Sequence, residues 1–289
     1  MAPLARPPLL AWVALPNLGS LLGQTLTAWR SGFRGRGVRL VAFLGLLTAV
    51  AAWLAAEFSG RQPETVALDV GFSLIRMFGA LLVLFWITEL LAKDLERRTI
   101  YFVLAYPFPR SIYIFSRFLA VAGLAALSVI GLGLFSLLSW WLVTLSGYQQ
   151  AVSVHLQGAA LPLTLLLIWL DLVAIGAFAL LVASLSTTPM LAFFVGMAFA
   201  VSARSLGPIL AYLGQADPGA QKLSATYQPL LDAIHWLIPD LSRLDVRSTV
   251  LYGVWPEAGT LLWSSIHVSL YSAIAVILAM LFFRTREFN

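Results

Sequence analysis

Residues 159–184 read AALPLTLLLIWLDLVAIGAFALLVAS, a run of 26 residues whose one ionisable side chain is Asp171. About 20 apolar residues cross the hydrocarbon of a bilayer as a helix. A helix that is apolar on every side has no face for water, so it belongs in a bilayer or a large core. Five further runs have this character: 38–56, 70–92, 113–142, 189–212 and 259–283. The expected fold is an all-α polytopic membrane protein with six transmembrane helices. The third run is long enough to tilt or to end in an interfacial turn. The composition agrees: 60% of residues are hydrophobic, 11% are charged and the mean hydropathy is +0.89. Soluble domains carry about 25% charged residues. A soluble enzyme, a disordered chain and a nucleic-acid binder are therefore excluded.

Lys and Arg orient the spans, because short loops rich in them stay on the cytoplasmic side. Arg6, Arg30, Arg34, Arg36 and Arg39 precede or open span one, with no acid among them. The first loop holds only Arg61, whereas the loop between spans two and three holds Lys93, Arg97, Arg98 and Arg110, with Arg117 just beyond. The loop between spans three and four has neither Lys nor Arg, and the C-terminal tail has Arg284 and Arg286. Both termini are expected in the cytoplasm. Segment 213–258 then lies outside, where its five acids against three bases fit. The apolar stretch PLLAWVALP is short and bracketed by prolines, so a cleaved signal peptide is not expected.

Two organisational units follow, a tail with an interfacial helix over 1–36 and a six-span unit over 37–289. Residues 17–34 place Leu18, Leu21, Leu22, Leu26, Trp29 and Phe33 at helical spacing, opposite Ser20, Gln24, Thr27, Arg30, Ser31 and Arg34. Such a helix lies flat among lipid headgroups. Asn17 is a suitable N-cap, and Gly35-Arg36-Gly37 suits an elbow into span one. Residues 227–238, between Pro229 and Pro239, carry Leu230, Leu231, Ile234, Leu237 and Ile238 on one face. They predict a short helix or helical hairpin at the outer interface.

The loop after span two reads ELLAKDLERRTIYFVLAYPFPR over 89–110. Glu89–Lys93 and Asp94–Arg98 are acid-first i,i+4 pairs, which favour a helix continuing past the membrane. Pro107 and Pro109 stop it. A lever-like charged helix and a solvated loop are equally compatible with this spacing.

Chemical sites are sparse. The chain has no cysteine, so it has no disulfide, thiol nucleophile or thiolate metal ligand. His155, His235 and His267 are too widely spaced to suggest a metal site. LSGYQQ at 145–150 resembles the signature stretch of ABC ATPases, but no GxxxxGK[ST] loop accompanies it, and Lys93 and Lys222 are the only lysines. Any ATP chemistry therefore belongs to a partner. Arg76, Glu89, Asp171, Arg204 and His267 fall inside the predicted spans. Asp171 lies about 18 Å into span four, close to the midplane. It is expected to pair with Arg76 or Arg204; a place on a substrate or proton path, or a lone protonated carboxyl, are the alternatives. Glu89 is expected to pair with Lys93, and His267 to be packed and hydrogen-bonded. One intramembrane Asp without GxGD or HExxH makes no protease.

Segment 89–117 resembles the permease subunits of type-2 ATP-binding-cassette (ABC) exporters. The matching residues are Glu96-Arg97-Arg98-Thr99-Ile100, then Leu104-Ala105-Tyr106-Pro107-Phe108-Pro109-Arg110, then Tyr113 and Arg117. Arg98 stands where many members have glycine, and Arg117 where many have lysine. The flat first helix, the six spans and the helical segment before the last span also look like that family. The stretch His235–Asp245 is similar to the group of copper-enzyme-maturation permeases. The resemblance implies a permease of the bacterial inner membrane that pairs with a second, identical or related copy. Two cytoplasmic ABC ATPases would bind the ATP and Mg, and this chain would hold no cofactor. Asp94, Glu96, Arg97, Arg98, Thr99, Pro107 and Arg110, together with the turn at 185–188, would transmit ATPase closure. A non-transporting assembly protein and a secondary transporter are the competing readings, although no internal repeat supports the latter. A reporter fused after Asn289 is expected to be shielded from the outside in intact cells; labelling it only from outside would invert every loop assignment.

Overall fold

The computed structural model describes residues 18–33, 37–92, 110–146, 154–156, 158–186, 188–213 and 238–285. Among these the regular elements are helical, with no strand. They are α1 (Leu18–Gly32), α2 (Val38–Glu57), α3 (Pro63–Ile87, continued by a π turn over Thr88–Ala92), α4 (Arg110–Leu145), α5 (Ala160–Leu185) and α6 (Pro189–Leu213). A 3₁₀ turn (Leu241–Leu244), α7 (Arg247–Tyr252) and α8 (Ala258–Thr285) complete the order. Six of them, α2 to α6 and α8, are long and apolar enough to cross a membrane. The chain is a multi-pass membrane protein.

Five spans sit close to their expected limits; the second starts earlier, at Pro63 rather than 70. The acids Glu64 and Asp69 interrupt the apolar run and disguise that start. Pro63 suits the first helical turn, which lacks N–H partners anyway. Glu64 is buried and accepts a hydrogen bond from Trp140 Nε1 at 3.1 Å. The third span is one unbroken helix of 36 residues, about 54 Å long and well beyond the hydrocarbon thickness.

α3 and α5 lie at the centre: 61% and 56% of their most apolar windows are buried, against 22% for α2 and 33% for α6 and α8. α5 packs against α3, α4, α6 and α8, while α2 packs on α3 and α4. The interior contains Phe72, Ile75, Leu82, Leu84, Leu124, Leu132, Leu172, Ile175, Leu180 and Phe283. Phe43, Leu46 and Trp53 of α2 and Leu262, Trp263, Ile266 and Leu270 of α8 face outward, as a lipid-bathed surface requires. Four buried hydroxyls are satisfied within their own helix: Thr48, Ser128, Thr164 and Ser272 each donate to the carbonyl four residues earlier.

Close helix crossings rest on glycine. A Cβ placed on Gly71 would stand 1.9 Å from Ser136 Oγ, and one on Gly45 2.2 Å from the Phe135 ring. Small residues of this kind let membrane helices approach closely enough for dispersion to hold them.

α1 forms as expected and packs on α4. Its predicted apolar face divides, however. Leu21 and Ala28 are buried, Gln24 lies 3.4 Å from Ser116 Oγ, and Leu22, Leu26 and Phe33 point outward. Asn17, residues 34–36 and residues 227–237 lie outside the described residues. What the structure shows of the segment before α8 is the 3₁₀ turn and α7, with Leu241, Leu244, Val250 and Leu251 buried in the main core. α7 ends at Gly253, whose φ of 69° and N–H to the Thr249 carbonyl close the helix in the left-handed conformation.

Gly71→Ala is expected to destabilise the detergent-solubilised protein by about 1–3 kcal/mol through overpacking. Gly133→Ala, whose added carbon would meet Leu165 at an ordinary 3.5 Å, is expected to be near neutral. Thermal unfolding followed by tryptophan fluorescence checks both.

Candidate functional site

Three of the intramembrane residues singled out from the sequence meet. Asp171, on α5, is fully buried, Arg76 reaches it from α3, and Arg204 reaches it from α6. Arg76 Nε donates to Asp171 Oδ2 at 3.1 Å. Arg204 donates to the same oxygen through Nη2 at 2.8 Å and Nε at 3.2 Å. Asp171 therefore pairs with both arginines rather than one. The elements make this geometry natural. Arg76 is thirteen residues after Pro63, Asp171 eleven after Ala160, and Arg204 nine before Leu213. At 1.5 Å per residue all three lie roughly 14–20 Å from the same end of the bundle.

The network extends to residues that sequence reasoning treated only as loop charge. Arg76 Nη1 donates to Asp245 Oδ2 at 2.6 Å, and Arg76 Nη2 donates to the Leu241 carbonyl at 3.2 Å. Asp245 Oδ2 also meets Arg247 Nη2 at 3.1 Å. Arg247 Nη1 reaches back to α3, to Asp69 at 2.9 Å and Ser73 Oγ at 2.6 Å. The result is a chain of alternating charge, Asp69–Arg247–Asp245–Arg76–Asp171–Arg204, with three cations and three anions. Asp69 is 49% exposed at one end of it, while Asp171 is wholly buried. One signal was available in the sequence: Asp69, Ser73 and Arg76 are spaced i, i+4, i+7 and so share a helix face.

Backbone features seat the 3₁₀ turn. Asp240 caps it by accepting from the Ser242 N–H and hydroxyl at 3.1 and 2.7 Å, and Arg243 Nε donates to Asp240 at 3.0 Å. Gly207 of α6 makes room, since a Cβ there would stand 1.9 Å from Ser242 Oγ. Pro208 follows within the same helix and has no N–H for the carbonyl of Arg204, which loosens α6 at its point of contact with the turn.

The other expected sites fare differently. Asp94, Glu96, Arg97, Arg98, Thr99 and Pro107 lie outside the described residues, as does Lys93, the expected partner of Glu89. Glu89 itself lies in the π turn that ends span two. Arg110 opens α4, with Nη1 within 3.5 Å of the Arg284 carbonyl at the end of α8. His267 corrects an expectation: it is exposed, not packed, on the outward face of α8 between Ile266 and Leu270. Helical spacing around it is apolar on every side, so the sequence could not say which side faces the bundle. Among the described residues no group of three or more His, Asp or Glu could hold a metal.

The sequence matches no protein-family model and no curated protein.

The arrangement clamps α3, α5, α6 and the 238–252 segment together through carboxylates and guanidiniums that hydrocarbon cannot solvate. Removing one partner from a buried pair costs about 3–5 kcal/mol, because a charge is stranded. Arg76 retains Asp245 when Asp171 is lost, whereas every hydrogen bond described above for Arg204 goes to Asp171. Asp171→Asn is therefore expected to lower thermal stability, and Asp171→Asn with Arg204→Gln to recover more of it than Asp171→Asn with Arg76→Gln. Unfolding midpoints of the purified variants decide the order.

Proposed function

We propose that the chain is the membrane-embedded permease subunit of an ABC exporter, moving a substrate with energy from ATP hydrolysed in separate ATPase subunits. The observation that carries this reading is the layout around the resembling motif. The motif Glu96-Arg97-Arg98-Thr99-Ile100 joins the central helix α3 to the longest helix, α4. α3 carries the charged clamp, and α4 carries α1 on its flank. A force applied to the 93–109 connection therefore meets both the clamp and the flat first helix through rigid elements.

In this reading Asp94, Glu96, Arg97, Arg98, Thr99, Pro107 and Arg110 receive the motion of two ATPases. The outward apolar faces of α2, α6 and α8 meet lipid and a second permease copy. ATP and Mg stay with the partner, and this chain performs no chemistry of its own. The membrane is the bacterial inner membrane, with both termini cytoplasmic. One observation favours a non-transporting assembly protein instead: the intramembrane Asp171 and both arginines are neutralised once Asp245 is counted with them, which suits a rigid scaffold.

Affinity purification of the detergent-extracted complex is expected to bring down an ABC ATPase; a complex lacking one in every mild detergent favours the scaffold. Charge reversal at Glu96 or Arg98 is expected to leave insertion intact while the complex hydrolyses ATP without transport. Coupled transport in both variants would reduce this loop to a solvated connection.

A further inference from the structure

The charges of the clamp do not all belong to the spans. Arg76, Asp171 and Arg204 are carried by α3, α5 and α6, so that two guanidiniums share one fully buried carboxylate. The second carboxylate on Arg76 comes from Asp245, which lies between the 3₁₀ turn and α7 in a segment outside the spans. With that segment lifted away, the interior would hold an unbalanced guanidinium. A net positive charge in hydrocarbon is expensive, and it is relieved by an anion.

We propose that Arg76, flanked by Arg204, is an oxyanion-binding site, that Asp245 is its built-in occupant, and that the anionic group taken in exchange is a carboxylate or phosphate. In naming this as the charge on the transported molecule, the proposal rests on the permease reading above. Three observations point to exchange rather than to a fixed strut. Asp245 is the more accessible partner of Arg76, 20% exposed against none for Asp171. A second tie, Arg247 to Asp69 and Ser73, fastens the same segment to the same helix at its exposed end. Its removal would loosen the segment's hold on α3 without touching Asp171. Finally, Arg76 presents its whole fork: Nε goes to the spans, while Nη1 and Nη2 both go to the segment, to Asp245 and to the Leu241 carbonyl. Lifting the segment thus exposes two adjacent donors, the pair that a planar or tetrahedral oxyanion accepts bidentately. Gly207 and Pro208 place a pliable stretch of α6 directly under the turn that must move.

The absence of cysteine makes the movement readable. Leu244, on the buried side of the segment's own 3₁₀ turn, is 1% exposed, so a cysteine there reacts with a maleimide only when the segment lifts. The full chain carrying Leu244→Cys would be purified in detergent and labelled with inorganic phosphate or with chloride at equal ionic strength. An anion that binds only the lifted state raises its population by the factor 1 + [anion]/Kd, about tenfold at nine times Kd. We expect phosphate to accelerate labelling on that scale. In Leu244→Cys with Arg76→Gln, labelling should be fast from the start and indifferent to phosphate. A matched pair of nanodiscs, rich in phosphatidylglycerol or made of phosphatidylcholine alone, separates the sources. Faster labelling in the former without added phosphate assigns the site to a lipid phosphate, and a response to free phosphate in detergent assigns it to a water-soluble anion. No acceleration in any arm, or equal acceleration after Arg76→Gln, overturns the proposal. Should Leu244→Cys not fold, Asp245→Asn provides the second measurement. Phosphate should raise its unfolding temperature above the chloride control, and the rise should vanish in Asp245→Asn with Arg76→Gln; an equal rise in both overturns the proposal as well. The chain is assayed alone, so failure to find an ATPase partner leaves this result untouched, and indifference to phosphate leaves the permease reading standing.

Discussion

The carboxylate of Asp171 has no solvent and must be neutralised where it stands. A lone ion at that depth costs several kcal/mol, so the spans that surround it have to bring counter-charges to one height. Arg76 and Arg204 do so from neighbouring helices, within 3.1 and 2.8 Å. This requirement orders much else. It sets the register of α3 and α6 against α5. It also leaves Arg76 one carboxylate short, and Asp245 of the 238–257 segment fills that place. A buried ion pair adds little net stability over an apolar packing, but mispairing it is costly. The clamp therefore contributes more to which arrangement forms than to how stable it is.

Around the clamp, helix association depends on shape. Lipid tails are as apolar as leucine, so no hydrophobic force draws one span to another. Close approach at Gly71, Gly45, Gly79 and Gly196, each with a neighbouring side chain in the space a Cβ would take, supplies dispersion contacts instead. Gly207 does the same for the segment before the last span, where Ser242 and Asp240 crowd the helix. Hydroxyls such as those of Thr48, Ser128, Thr164 and Ser272 are kept quiet by local bonds to backbone carbonyls. Arg76, Asp171 and Arg204 are gathered in one alternating chain that runs inward from the exposed Asp69.

That concentration is what a moving part needs. A segment held by ion pairs to α3 and by buried Leu241, Leu244, Val250 and Leu251 to the core would, in the exchange proposed above, pass between docked and lifted states rather than through a continuum. Discrete alternatives of this kind let a small displacement at one end of a rigid helix become a large change at the other. α3 is such a helix, since it carries Arg76, Asp69 and Ser73 and ends at the π turn that leads into the charged connection.

Much of this was legible in the residues. Six apolar runs announced six spans, because a helix of about 20 apolar residues satisfies its own backbone and hides its side chains in lipid wherever it sits. The cost of burying a charge identified Asp171, Arg76 and Arg204 as partners for the same reason, since desolvation is a property of the group and its depth. The start of span two was obscured because Glu64 and Asp69 find partners, Trp140 and Arg247, that lie 76 and 178 positions away. His267 was misplaced because an evenly apolar helix does not say which side meets its neighbours. Composition and hydrophobic pattern thus determined the class of protein, the number of spans and the need for paired charge. Only the tertiary structure decided which carboxylate meets which guanidinium, and that the 238–252 segment plugs the bundle. Those choices depend on helix register and close crossings between residues far apart in the chain, which no local pattern encodes.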